Sequence, residues 1–241
     1  MANKIYIEPP ESERKYRRLT ALGKELGVPV PQVFLEMEVK MPDGKVVHHH
    51  KQRSHSWIRN AYNVMFSALA GVDVLDNTYT AGKMSIKIPA GTIYGLANPV
   101  TQYQGNFSLL LEGTGYRASA ATITNGIVVG YDTTTAESFE DYTLINPILE
   151  GITNDGHHLN FILSQPYVIS WSAPTMSVAL VRFMNNNSGG NVVVGEVGLI
   201  ENGYINTIKA WMMARDHLGA PVTIPNTGQL KVTYTIQLVY P

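Results

Sequence analysis

From Leu230 to Tyr240 the chain alternates residue by residue. Leu230, Val232, Tyr234, Ile236, Leu238 and Tyr240 fall on one face, and Lys231, Thr233, Thr235 and Gln237 on the other. Side chains repeat every second residue along a strand, so this segment fits a strand with one buried and one wet face and fits no helix. Pro225, Asn226 and Gly228 supply a turn just before it. KMSIKI, FSLLL, GIVVGY, LNFIL, YVISW, SVALVRF and VVVGEVGLI are further short apolar or alternating runs, separated by Gly, Pro, Asn and Asp clusters. Many short strands with regular turns predict a mainly β protein with an antiparallel β-sandwich or barrel-like core.

The N-terminal part carries the helices. Residues 1–10 read as extended and stop at Pro9 and Pro10, and SERKYRRLTALGKELG suits a short basic helix capped by Ser12 and ended by Gly27. Val28 to Pro31 reads as a linker, so residues 1–31 form an N-terminal helical and extended arm and residues 32–241 a β-rich domain. In that domain VFLEMEVKMPDGKVVHHHK is a hairpin, with Val33, Leu35, Met37 and Val39 on one face and Pro42-Asp43-Gly44 at the turn. One buried helix follows near residues 55–70. Ile58, Ala61, Tyr62, Met65, Phe66 and Leu69 recur at helical spacing, Ser54 or Ser56 can cap it, and Gly71 can close it. Thr133 to Tyr142 reads as a helical turn, with Glu137, Glu140 and Asp141 at its start.

Only 15% of the residues are charged, against roughly 25% in an ordinary globular protein. Much of the surface is therefore neutral, which is compatible with burial between subunits. The net charge of −1 hides an asymmetry: residues 1–60 hold 11 of the 18 Lys and Arg against 7 acids, and residues 61–241 are correspondingly acidic. Unlike regions of neighbouring copies can meet through it, or the basic helix can simply be solvated. Cysteine is absent, which excludes disulfides, thiol nucleophiles and thiolate metal sites. Neither a signal-peptide core nor a membrane-span run stands out, so a protein made soluble inside a cell is expected.

The residues that carry chemistry elsewhere are not arranged for it here. His48, His49 and His50, with His55 nearby, are metal-ligand types. On a strand, however, His48 and His50 face one side and His49 the other, so the run reads as a solvated or subunit-contacting edge, with a pH-sensitive contact as the intermediate case. His157-His158 reads as a polar loop edge. Asp216 and His217 point to opposite faces of a strand and cannot orient each other as a catalytic dyad. Glu140 and Asp141 lack an identified partner across a cleft. Gly113 to Arg117 lacks the spacing of a phosphate cradle. The basic residues Arg14, Lys15, Arg17, Arg18 and Lys24 are interleaved with Glu11, Glu13 and Glu25, which disfavours nucleic acid. No enzyme, cofactor, metal or small-molecule substrate is expected.

Gly130, Glu140, Asp141 and Leu144 are followed by Asn187, Ser188, Gly189, Glu196, Val197, Gly198 and Leu199. Ala214, Arg215, Asp216, Pro221, Gly228 and Val232 to Ile236 come next, and the SHSWIRNAYNVM helix lies upstream. This order of motifs resembles tailed-bacteriophage virion structural proteins. The resemblance covers roughly residues 50–240. It implies a non-enzymatic component of a symmetric particle, made in the host cytoplasm and located in the virion. Its partners would be further copies of itself and other virion proteins, with no membrane. An accessory capsid protein of the cement or decoration type is the first expectation, and a tail or neck component the second. A carbohydrate- or receptor-binding β module is the rival from another class, with Trp171 and Tyr204 as its candidate platform. Arg14, Arg17, Arg18, His48, His49 and His50 are candidate subunit contacts, together with Glu196 and Arg215 as a buried or interfacial ion pair. If that pair carries assembly, reversing both charges should restore what either reversal loses.

Overall fold

Alternation at the C-terminus is realised as an eleven-residue strand in the middle of a sheet. The computed structural model describes residues 4–7, 10–54, 56–70, 85–95, 112–205 and 207–240. In chain order the elements are β1 (Lys4–Ile7), α1 (Pro10–Leu26), β2 (Val30–Lys40), β3 (Val46–Arg53), α2 (Arg59–Ala70), β4 (Ser85–Lys87) and β5 (Ile93–Gly95). They continue with β6 (Gly126–Gly130), β7 (Leu149–Glu150), β8 (His158–Phe161), β9 (Val168–Ser172), β10 (Thr175–Asn185), β11 (Val192–Ile205), β12 (Thr207–Ile224) and β13 (Gln229–Val239).

The larger sheet runs β1-β3-β2-β13-β10-β8-β7, with β9 also on β10, and the smaller runs β12-β11-β6. Their facing sides enclose the main core. Leu35, Met37, Val39, Leu180, Met184, Leu230, Val232 and Tyr234 of the larger sheet meet Ile127, Val129, Val194, Val197, Leu199, Ala214, Val222 and Ile224 of the smaller. This is a β-sandwich core, mainly antiparallel, as the period-two pattern predicts. The smaller sheet is buried on both sides, because Ala61 and Ile86 pack on Trp211 and Met213 of β12, and Ile58 and Leu144 on Met212.

Within the N-terminal part, β1 pairs in parallel with β3, and Val30 and Pro31 already pair with Val239 and Leu238 of β13, so these strands belong to the larger sheet. Helix α1 lies on the outer face of β2. Arg53 reaches across from β3 between the Tyr16 and Phe34 rings and bonds Glu13 and Gln32. Pro10 opens the helix, so Ser12 lies inside it; Gly27, at φ 67°, ends it, with the Val28 N–H bonded to the Gly23 carbonyl.

Helix α2 buries only part of the face its apolar spacing predicts. Ile58 and Ala61 are buried as expected, with Asn60 and Ser67 beside them, whereas Tyr62, Met65 and Phe66 are exposed. A polar residue decides the orientation: Asn60 donates to the carbonyls of Lys87 and Met212 and accepts from the Lys87 N–H, so it pins α2 to β4 and β12. Ser56 does not cap the helix, because its hydroxyl donates to Asp216. His55, Gly71 and the FSLLL run lie outside the described residues.

Candidate functional site

The motif residues converge on one buried polar node. Arg215 of β12 is fully buried and donates to Glu196 at 2.7 Å, to Asp141 at 2.9 Å, and to the carbonyls of Thr135 and Ala136. Asp132 lies 3.6 Å from the same guanidinium. Burial works against the Arg215 charge, but the bonds from Glu196 and Asp141 outweigh it and hold its pKa above the ordinary guanidinium value. Glu196 also accepts the N–H groups of Ile145 and Asn146. A side chain at Gly130 would collide with the Glu196 carboxylate, and one at Gly195 with the Asp132 carbonyl. Segment 132–146 is thereby wrapped around Arg215 and forms no helical turn. Its Thr and Asp residues bond each other, as in Thr134 Oγ1 and Thr135 N–H to Asp132.

Neighbouring residues extend the node. Asp216 accepts from Ser56 and Tyr234, both at 2.6 Å. Arg59 forms a two-pronged pair with Glu140, which ties α2 to the same segment. The carboxylates weighed for catalysis, Glu140, Asp141 and Asp216, are therefore each bonded to a structural partner. Glu196 and Arg215 form their ion pair within one chain and both are fully buried: β11 and β12 set Glu196 opposite His217 and Gly198 opposite Arg215, so the pair lies on the diagonal of one sheet face.

The histidine run divides as its strand period requires. His48 and His50 are buried on the inner face of β3, and only His49 looks outward, bonded to Glu36 at 2.8 Å. His48 and His50 are accordingly not an exposed subunit contact. His50 bonds Gln52, whose amide reaches the His217 carbonyl. Burial pushes the His50 imidazole down to about 4, with the His48 and His49 charges adding to it. His157 stacks on Tyr131 and His158 bonds Asp155. β8 is four strands from β3, roughly 19 Å at the usual spacing, so the two histidine groups do not meet. No three His, Asp or Glu among the described residues are placed to hold a metal ion. On α1, Arg14 and Arg18 are exposed, and Arg17 pairs with Glu13 one turn away.

Two further buried residues hold loops to the sheets. Arg182 is fully buried on β10 with no carboxylate among the described residues bonded to it, and donates to the carbonyls of Ser119, Thr122, Asn125, Ile127 and Ile162. Burial lowers its pKa to about 10. Asn186 is buried beside the Asn187-Ser188-Gly189 motif and bonds the Gly190 and Ile224 carbonyls, fixing that loop to the turn before β13. An arginine in an apolar strand, or the middle one of three asparagines, was the only available signal for either.

One face is left unfinished. The core side of the larger sheet continues beyond Leu180 and Tyr234 through Val178 and Ile236 to Met176, Leu238 and Trp171. Trp171 is 61% exposed, Met176 40% and Tyr240 41%, and the Trp171 and Tyr240 rings meet edge to face at 5.7 Å. Every residue of β9 is exposed. In comparisons with known proteins, the chain matches no family model, no curated protein and no solved structure.

Proposed function

We propose that the chain is a non-enzymatic structural component of a tailed-phage virion, repeated in a symmetric particle with copies of itself and other virion proteins. A capsid-associated cement or decoration role is the form we favour. The observation that carries the proposal is the apolar continuation of the core face through Met176, Trp171 and Tyr240, which one chain leaves open to water. A contiguous apolar patch continuous with a core marks a surface that another protein covers. The motifs shared with virion proteins support the reading from a second side. In this chain Glu140, Asp141, Glu196, Arg215 and Asp216 are bonded to one another or to neighbouring elements and brace the fold.

The test is the protein's place on the particle. Purified virions separated into heads and tails and quantified by peptide mass spectrometry should carry the chain in stoichiometric amounts on heads. Recovery with tails would move it to the tail or neck. Its absence from particles in cells that express it would overturn the proposal.

The carbohydrate- or receptor-binding reading has one observation in its favour, at a different place from its first candidates. Trp171 stands beside the apolar Met176 and the Tyr240 ring, and the Tyr204 side chain lies outside the described residues. An open cleft of about 460 Å³ lined by Trp57, Tyr62, Phe139, Glu137 and Ser138 has the required mixture of rings and polar groups. Glycan-array binding that is lost on Tyr62→Ala would favour that reading.

A further inference from the structure

The geometry points to β9 as a self-pairing edge: two copies of this chain join their larger sheets by antiparallel β9–β9 addition about a two-fold axis at Ser170. This is one form of the self-association proposed above. Strand β9 is bonded to β10 on one side, and all five of its residues are exposed. An edge strand offers a row of backbone donors and acceptors to any matching strand, and proteins that stay monomeric guard such edges with charge or proline. This edge is unguarded by charge, because from Gly156 to Val181 the chain holds no Asp, Glu, Lys or Arg.

The strand is also its own complement. With Ser170 opposite Ser170 of the second copy, each Ile169 stands opposite a Trp171, and each Val168 opposite a Ser172. Ile169 and Trp171 lie on the core side of the sheet, since they pair with Val178 and Met176. Apolar cross-strand pairs of this kind stabilise a sheet. The pairing would bring the two exposed Trp171–Met176–Tyr240 shelves together into one covered surface. Two neutral copies meet without like-charge repulsion, and the Ile169–Trp171 match of the strand with itself makes a second copy the occupant.

The absence of cysteine makes the test clean. Antiparallel strand neighbours lie about 4.5–5.5 Å apart at Cα, within the range a disulfide spans. Ser170→Cys should therefore cross-link to a covalent dimer under mild oxidation. Ser177→Cys, on a strand flanked on both sides, should not. By sedimentation equilibrium the wild-type mass should be two copies or an even multiple, and Ile169→Lys, at an exposed position, should halve it or more. A monomeric wild type, an odd-numbered ring, or cross-linking as strong at Ser177 as at Ser170 would overturn the pairing. A monomer that is still found in virions would refute the pairing and leave the virion reading standing; a dimer absent from virions would do the reverse.

Discussion

The Tyr234 hydroxyl donates to Asp216 Oδ2 at 2.6 Å in the seam between the two sheets, and both residues are fully buried. Tyr234 belongs to the closing alternating strand and Asp216 to the ARD motif, so one bond joins the two sequence features that defined the chain. Burial raises the Tyr234 pKa well above its usual value and the Asp216 charge adds to it, so the phenol stays protonated and donating. Tyr234→Phe keeps the ring and removes a bond to a buried carboxylate. It should cost about 1–3 kcal/mol in urea unfolding with little change in the denaturant slope.

Removing one partner of the Glu196–Arg215 pair should cost about 3–5 kcal/mol, as for other buried pairs that lose one member. The double charge reversal should not rescue it. An arginine at 196 would face the N–H groups of Ile145 and Asn146, and a glutamate at 215 would face the Thr135 and Ala136 carbonyls and Asp141. Thermal denaturation of the two single variants and the double variant checks this. Recovery of wild-type stability by the double variant would show that the surrounding bonds contribute little.

Stability should depend on pH through His50. The folded chain keeps this buried imidazole neutral down to about pH 4, whereas the unfolded chain protonates it below about pH 6.5. Between those values the unfolded state holds the extra proton, so stability falls by about 1.4 kcal/mol per pH unit on acidification and is undiminished above the window. Urea titrations at pH 7.5 and pH 5 should show the loss in the wild type and a smaller one in His50→Gln.

Arg182→Lys should destabilise by about 2 kcal/mol, because an ammonium has three donors for five backbone carbonyls. Amide exchange in residues 118–127 should speed up more than exchange in β2 and β13, where the ladder is untouched.

The strands and hairpin were legible because a half-buried sheet writes its period directly into the sequence. Val33 to Val39 and Leu230 to Tyr234 lie where their alternation places them. The same strand's outer half, Ile236 to Tyr240, carries the identical pattern without the same burial, since period reports a face and not what covers it. The face of α2 was partly misread for a related reason. Its apolar spacing marks Tyr62, Met65 and Phe66, but the bonds of Asn60 to Lys87 and Met212 turn those residues outward. Glu196 and Arg215 were found as a pair, but their enclosure depends on segment 132–146, whose path comes from side-chain bonds that no periodicity reveals. Arg182 was invisible because its partners are backbone carbonyls, which every sequence has.

The central claim is that the continuation of the core face is an assembly surface, and hydroxyl-radical footprinting of Trp171, Met176 and Tyr240 tests it most directly. All three are reactive side chains on that face. They should be labelled in the isolated chain diluted to a monomer and protected in intact virions, while exposed Phe66 and Leu26 serve as references on other elements. Equal labelling of the three in both states would contradict the account.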